Sequence, residues 1–200
     1  MPSDTGSLSR RSFLKGSGVA AVAATALSGS AEADPTGPPT FGPGAVTIAV
    51  TVNGTLHSLA VEPGMTLAEV LRGPLGLTGT KIACDRGSCS ACTVWLAGAP
   101  VLACSMLAID VGERPVTTIE GLAAGGVLHP VQAAFLDRDA LQCGFCTPGM
   151  VMSCAAVVQN TPQPTAEQVI SAISGHLCRC GTYPKVVAAT LAAAERRNRG

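Results

Sequence analysis

Residues 84–104 read CDRGSCSACTVWLAGAPVLAC, with cysteines at 84, 89, 92 and 104. The spacing is C-x4-C-x2-C-x11-C, which leaves three solutions to weigh: a disulfide knot, a zinc site or an iron–sulfur cluster. Zinc sites more often show two C-x2-C pairs or mixed Cys/His pairs. C-x4-C-x2-C with a distant fourth cysteine is instead the plant-type [2Fe–2S] spacing. Gly87, Ser88, Ser90 and Ala91 are small, so the loop can turn its backbone N–H groups toward sulfurs that carry negative charge. The fourth thiol, Cys104, is expected from a neighbouring strand beyond a turn at Ala97-Gly98-Ala99.

The chain around this loop supplies a fold. Val46, Ile48, Val50 and Val52 alternate along one strand, Asn53-Gly54 is the pair that a type I′ turn prefers, and Leu59 and Val61 face inward on the return strand. Thr66 and Glu69 form a capping box for a helix that Gly73 and Pro74 end. Thr93–Leu96 and Pro100–Ala103 read as short strands, and PVTTIEGL (115–122) as one more. This is the pattern of a β-grasp, ferredoxin-like α+β domain over 46–121.

From residue 126 the pattern becomes helical. Pro130, Pro148 and Pro184 suit first helical positions. Thr165 with Gln168 makes a second capping box, and Arg196 and Arg197 complement the dipole of the last helix. A C-terminal four-helix bundle over 126–200 follows. Its cysteines read C-x2-C-x31-C-x-C, with Cys143 and Cys146 between the first two helices and Cys178 and Cys180 between the last two. Antiparallel packing would let these two pairs converge on a single cluster. Cys154, in an Ala/Val-rich helix, reads as a buried structural thiol. His57, His129 and His176 read as structural. Arg179 is either a solvated side chain or an offset to nearby negative charge.

Composition narrows the function classes. The chain has 200 residues, 47% of them hydrophobic and 13% charged, with 13 basic and 13 acidic side chains. There is no basic block and there are few aromatic residues, so nothing points to nucleic acid. At the N-terminus, Arg10-Arg11 precede Phe13-Leu14-Lys15, a weakly apolar run over 19–27 and the small-x-small site Ala31-Glu32-Ala33. Residues 1–33 therefore read as a twin-arginine export signal, and the Pro/Gly-rich residues 34–45 as a linker. The apolar run is too short to span a bilayer, so a membrane enters only in transit. A chain exported after folding, with its thiols already occupied by iron, would escape disulfide formation in an oxidising periplasm.

GTKIACDRGSCSACTV (79–94) and LQCGFCTPGM…HLCRCGTYPKV (141–150, 176–186) together resemble the iron–sulfur subunit of the molybdenum hydroxylases, the xanthine dehydrogenase and aldehyde oxidase family. With a leader, the likeness is greatest to periplasmic aldehyde oxidoreductases; isoquinoline-type oxidoreductases share much of the pattern.

The resemblance implies two [2Fe–2S] clusters. Cys84, Cys89, Cys92 and Cys104 would hold the outer one. Cys143, Cys146, Cys178 and Cys180 would hold the one nearer molybdenum. Gln142 and Cys180 would lie against the pterin of a molybdenum cofactor; the plainer role for Gln142 is a helix-end capping amide. The resemblance further implies a large molybdenum subunit as partner, and a flavin (FAD) subunit or a cytochrome-type acceptor. The function implied is electron relay, with aldehydes as substrate; N-heterocycles, purines and a free-standing ferredoxin are the alternatives. Ala83 and Ser90 stand where the family usually has glycine.

Overall fold

The structure is a computed structural model and describes residues 40–198. The twin-arginine segment and the first half of the linker, residues 34–39, lie outside the described residues.

Two strands, β1 (Val46–Val52) and β2 (Thr55–Val61), pair antiparallel along their whole length. Asn53 and Gly54 both take left-handed backbone, at φ 50° and 81°, as a type I′ turn requires. Helix α1 (Leu67–Arg72) starts at Thr66, whose hydroxyl accepts from the Glu69 N–H while the Glu69 carboxylate accepts from the Thr66 N–H. Strands β3 (Thr93–Leu96) and β4 (Ala99–Leu102) form a second hairpin. Its turn is Ala97-Gly98, also left-handed at φ 50° and 81°. The strand expected over 115–122 shortens to β5 (Val116–Thr117), after which the chain turns into a 3-10 segment. The sheet order is β2-β1-β5-β3-β4, with β5 parallel to β1. This is the mixed sheet of a β-grasp domain. Val50, Val52, Leu67, Leu71, Val94 and Val116 fill its core.

Four helices follow: α2 (Pro130–Asp137), α3 (Thr147–Asn160), α4 (Ala166–Ile173) and α5 (Tyr183–Arg197). Pro130 takes the opening position of α2. Pro148 and Pro184 each sit one residue later than expected, behind Thr147 and Tyr183. Helix α3 runs through the centre, with nearly all of Gly149–Ala156 buried. Its Met150 and Met152 pack with Val131 and Phe135 of α2 and Val186 of α5.

The two halves share a seam. Trp95 of β3 belongs to the helical core, and its indole N–H donates to the Met152 carbonyl at 2.9 Å. Gly149 makes the close approach possible: a Cβ there would stand 2.4 Å from the Ser90 carbonyl oxygen. Among the described residues, no helix is long and apolar enough to cross a membrane.

Candidate metal centres

The first cysteine loop joins α1 to β3. Asp85, Gly87 and Ser90 all have positive φ (52°, 73° and 58°), and three left-handed residues so close together curl the chain back on itself. Gly87 is needed twice over, since a Cβ would also lie 2.8 Å from the Ser105 hydroxyl. The curl aims backbone N–H groups at sulfur. Gly87 donates to Cys104 Sγ at 3.3 Å, Ser88 to Cys84 Sγ at 3.2 Å, and Cys104 to Cys92 Sγ at 3.4 Å. Cys104 does not lie on a strand. It sits in the 3-10 turn Ala103–Ser105, because the chain must bend off the end of β4 to bring this thiol back to Cys92.

The four thiols fall into two pairs, Cys84 with Cys89 and Cys92 with Cys104. Their acidities diverge. The N–H of Arg86 draws Cys84 down to about 7 against the cost of burial, helped by the Cys89 thiol and the N–H groups of Ser88 and Cys89. Burial pushes Cys92 up to about 12. Cys84 is therefore the readier of the two to ionise, and buried Cys92 the more reluctant.

In the helical half, Cys146 occupies the N-cap position of α3, and Cys178 lies in the turn between α4 and α5. Their thiols meet, and Cys143 adds a charge interaction with Cys146. Burial pushes Cys146 up to about 12. Burial also opposes ionisation of Cys178, but the Thr182 hydroxyl (3.4 Å from Sγ), the Thr182 and Cys180 N–H groups and the Cys146 thiol together bring it to about 7. Tyr183 clamps this turn, accepting from the Cys178 N–H at 2.8 Å and donating to the His176 carbonyl at 2.9 Å. Cys180 is half-buried and Cys143 exposed.

Gln142 is exposed and caps neither helix beside it: the C-cap of α2 is Arg138, and α3 has no side-chain cap. Cys154 is fully buried in α3 with its thiol pushed up to about 12 by that burial. His57 lies on β2. His129 accepts from the Val131 N–H through Nδ1 as the cap of α2. His176 is buried with Nε2 2.8 Å from the Ser153 hydroxyl, and burial pulls its pKa down to about 4.

Part of each cysteine set lines one cleft of about 320 Å³: Cys84 and Cys89 of the first, and Cys143, Cys146 and Cys178 of the second, with Arg179. Phe145 and Leu177, both substantially exposed, stand at its rim. The backbone crosses directly from one set to the other: the Leu177 N–H donates to the Cys89 carbonyl at 3.2 Å. Beside it, the Ser90 hydroxyl donates to the Gly175 carbonyl at 3.1 Å. No local pattern in the sequence announces these two contacts, which join loops more than eighty residues apart.

The donor chemistry fits a dinuclear iron–sulfur group better than a single ion. Among the described residues, no three His, Cys, Asp or Glu side chains converge as the ligands of one metal ion would. In the first loop the thiols instead come in two adjacent pairs, as a cluster of two irons bound by four cysteines needs, and in the helical half Cys146 meets Cys178. All nine cysteines are free thiols, and N–H groups already point at three of the sulfurs.

A ferredoxin-like domain joined through a packed seam to a four-helix domain, each with its own four cysteines, defines a two-cluster electron carrier. The comparisons with known proteins agree. Residues 50–113 match the family described as a 2Fe-2S iron-sulfur cluster binding domain, and residues 118–191 match the [2Fe-2S] binding domain family. Residues 7–27 match the twin-arginine translocation pathway signal sequence, which assigns the chain to that export route.

The chain is 43% identical over 151 residues to the nicotinate dehydrogenase small FeS subunit of Eubacterium barkeri, covering 76% of this chain and 96% of that one. It is 38% identical over 198 residues to the aldehyde oxidoreductase iron-sulfur-binding subunit of Escherichia coli O157:H7, covering 92% and 86%. Among solved structures, quinoline 2-oxidoreductase from Pseudomonas putida 86 superposes with a TM-score of 0.74 at 40% identity, covering 78% of this chain and 98% of that chain. The chain belongs to the iron–sulfur subunits of the molybdenum hydroxylases. It is the electron-transfer component of such an oxidoreductase, and its relatives are named as small or iron–sulfur-binding subunits.

Proposed function

We propose that Cys84, Cys89, Cys92 and Cys104 hold one [2Fe–2S] cluster and that Cys143, Cys146, Cys178 and Cys180 hold the other. The chain would conduct electrons from the partner's molybdenum–pterin cofactor through its helical half, then through its ferredoxin-like half, to a flavin subunit or a cytochrome-type acceptor. The observation that carries this is the Leu177 N–H to Cys89 carbonyl bond. Cys89 belongs to one set and Leu177 adjoins Cys178 of the other, so this bond is a short bonded route between them. A bound [2Fe–2S] cluster supplies a one-electron carrier whose potential follows hydrogen bonding to sulfur and exposure.

The chain's own groups serve that role. In the first loop each cysteine pair would take one iron, and the N–H groups of Gly87 and Ser88 would offset negative charge on sulfur. Gln142, which is exposed, and Cys180, which is half-buried, would meet the pterin on a docked partner. Phe145 and Leu177 offer that partner an apolar rim around the cleft.

Aldehydes are the proposed substrate of the complex, supported by the relative whose likeness extends over 92% of this chain. The identity to a nicotinate dehydrogenase subunit favours N-heterocycles as the second reading. The periplasm is the proposed destination, reached by crossing the membrane already folded.

The test is iron analysis and EPR on the complex purified without oxygen. About four irons per chain and two distinct reduced [2Fe–2S] signals are expected. Zinc in their place, or a chain free of metal, would falsify the reading. Turnover of aldehydes to carboxylic acids, against hydroxylation of N-heterocycles, decides the substrate.

A further inference from the structure

Ser90 sits in left-handed backbone, at φ 58°. A side chain there is strained where glycine is not. The side chain does not turn into its own cysteine loop. Its hydroxyl reaches across the seam to the Gly175 carbonyl at 3.1 Å. One residue earlier, the Cys89 carbonyl accepts from the Leu177 N–H. The Ser90 side of this contact is itself constrained. The Ser90 carbonyl accepts from the Thr93 hydroxyl at 2.8 Å, and Gly149 presses against that carbonyl where any Cβ would collide. A Cβ on Gly175 would come within 3.2 Å of the Ser90 hydroxyl oxygen, so the fit at the strut is close.

We propose that Ser90 is a positioning residue for electron transfer: its hydroxyl straps the first cysteine loop to the Gly175–Leu177 turn and so holds the Cys89 carbonyl against the Leu177 N–H. The strap acts on the bonded route between the two cysteine sets and touches none of the eight thiols. The proposal rests on reading those sets as cluster ligands.

The test compares wild type with Ser90→Ala, Ser90→Gly and Gly175→Ala in the purified complex, by hydrogen exchange and by EPR. Losing one hydrogen bond speeds exchange at the Leu177 amide about fivefold. Amides of the β1–β2 hairpin stay at wild-type rates. The magnetic splitting between the two reduced clusters narrows in all three variants while iron content is kept.

Gly175→Ala in the Ser90→Gly background adds little, because the hydroxyl it displaces is already gone. A Ser90→Gly chain with wild-type Leu177 exchange and wild-type splitting overturns the strap. So does a uniform rise in exchange across the chain, which marks a general loss of stability. If wild type carries no iron, the cluster reading fails, and the exchange arm still decides whether Ser90 holds the two loops together.

Discussion

The two cysteine sets are built in opposite ways. The first gathers three thiols on one curled loop and a fourth from the turn after β4, so backbone conformation places them: Asp85, Gly87 and Ser90 are all left-handed. The second draws on two interhelical turns whose cysteines, Cys146 and Cys178, have 31 residues between them, so helix packing places them. A loop-built site depends on what single residues can adopt. A packing-built site depends on a core that none of its ligands belongs to alone.

The largest way to break this contrast is Phe135→Ala. Phe135 is 1% exposed and fills the helical core, so its truncation costs about 3–5 kcal/mol in denaturant unfolding. The expected spectroscopic result is a broadened or lost signal from the helical set beside a preserved signal from the loop set. Equal damage to both signals would show that the seam transmits the loss.

Gly87→Ala is the converse and milder change. A Cβ must enter left-handed backbone and approach the Ser105 hydroxyl, at about 1 kcal/mol for the conformation alone. It should shift the EPR signal of the loop set and leave the helical one in place.

Thr66→Ala has the smallest effect on the clusters, since both sets should ignore it. Loss of the cap costs about 1 kcal/mol, read as a lower melting temperature with unchanged EPR signals. Glu69 ties this cap to pH. The Thr66 N–H and hydroxyl hold its carboxyl below the ordinary value of 4.5. Its contribution is therefore present above that value and fades as pH falls through the lowered folded one. The gap between wild type and Thr66→Ala should narrow in acid.

Local chemistry made much of this architecture readable. Asn53-Gly54 announces its hairpin because both residues tolerate left-handed backbone, and Thr66/Glu69 and Thr165/Gln168 mark two helix starts. Ala97-Gly98 takes the same turn geometry with a less usual first residue. His129 caps α2 with a ring nitrogen, outside the usual Ser/Thr/Asp/Asn set. What stayed out of reach was non-local. The Cys104 turn depends on where β4 ends against β3. The thiol pairs, the Leu177–Cys89 bond and the Ser90–Gly175 contact depend on how the two halves close on each other. The pattern of cysteines was legible from spacing, while their meeting place was set by the seam.

That seam contains the chain's single tryptophan. Trp95 is 8% exposed and donates to a carbonyl on the central helix of the opposite half. Its intrinsic fluorescence therefore comes from one place, the contact between the halves, with no second indole to dilute it. A red shift of that emission during unfolding would date the parting of the two halves, and comparing it with bleaching of the iron–sulfur absorbance would give the order of events.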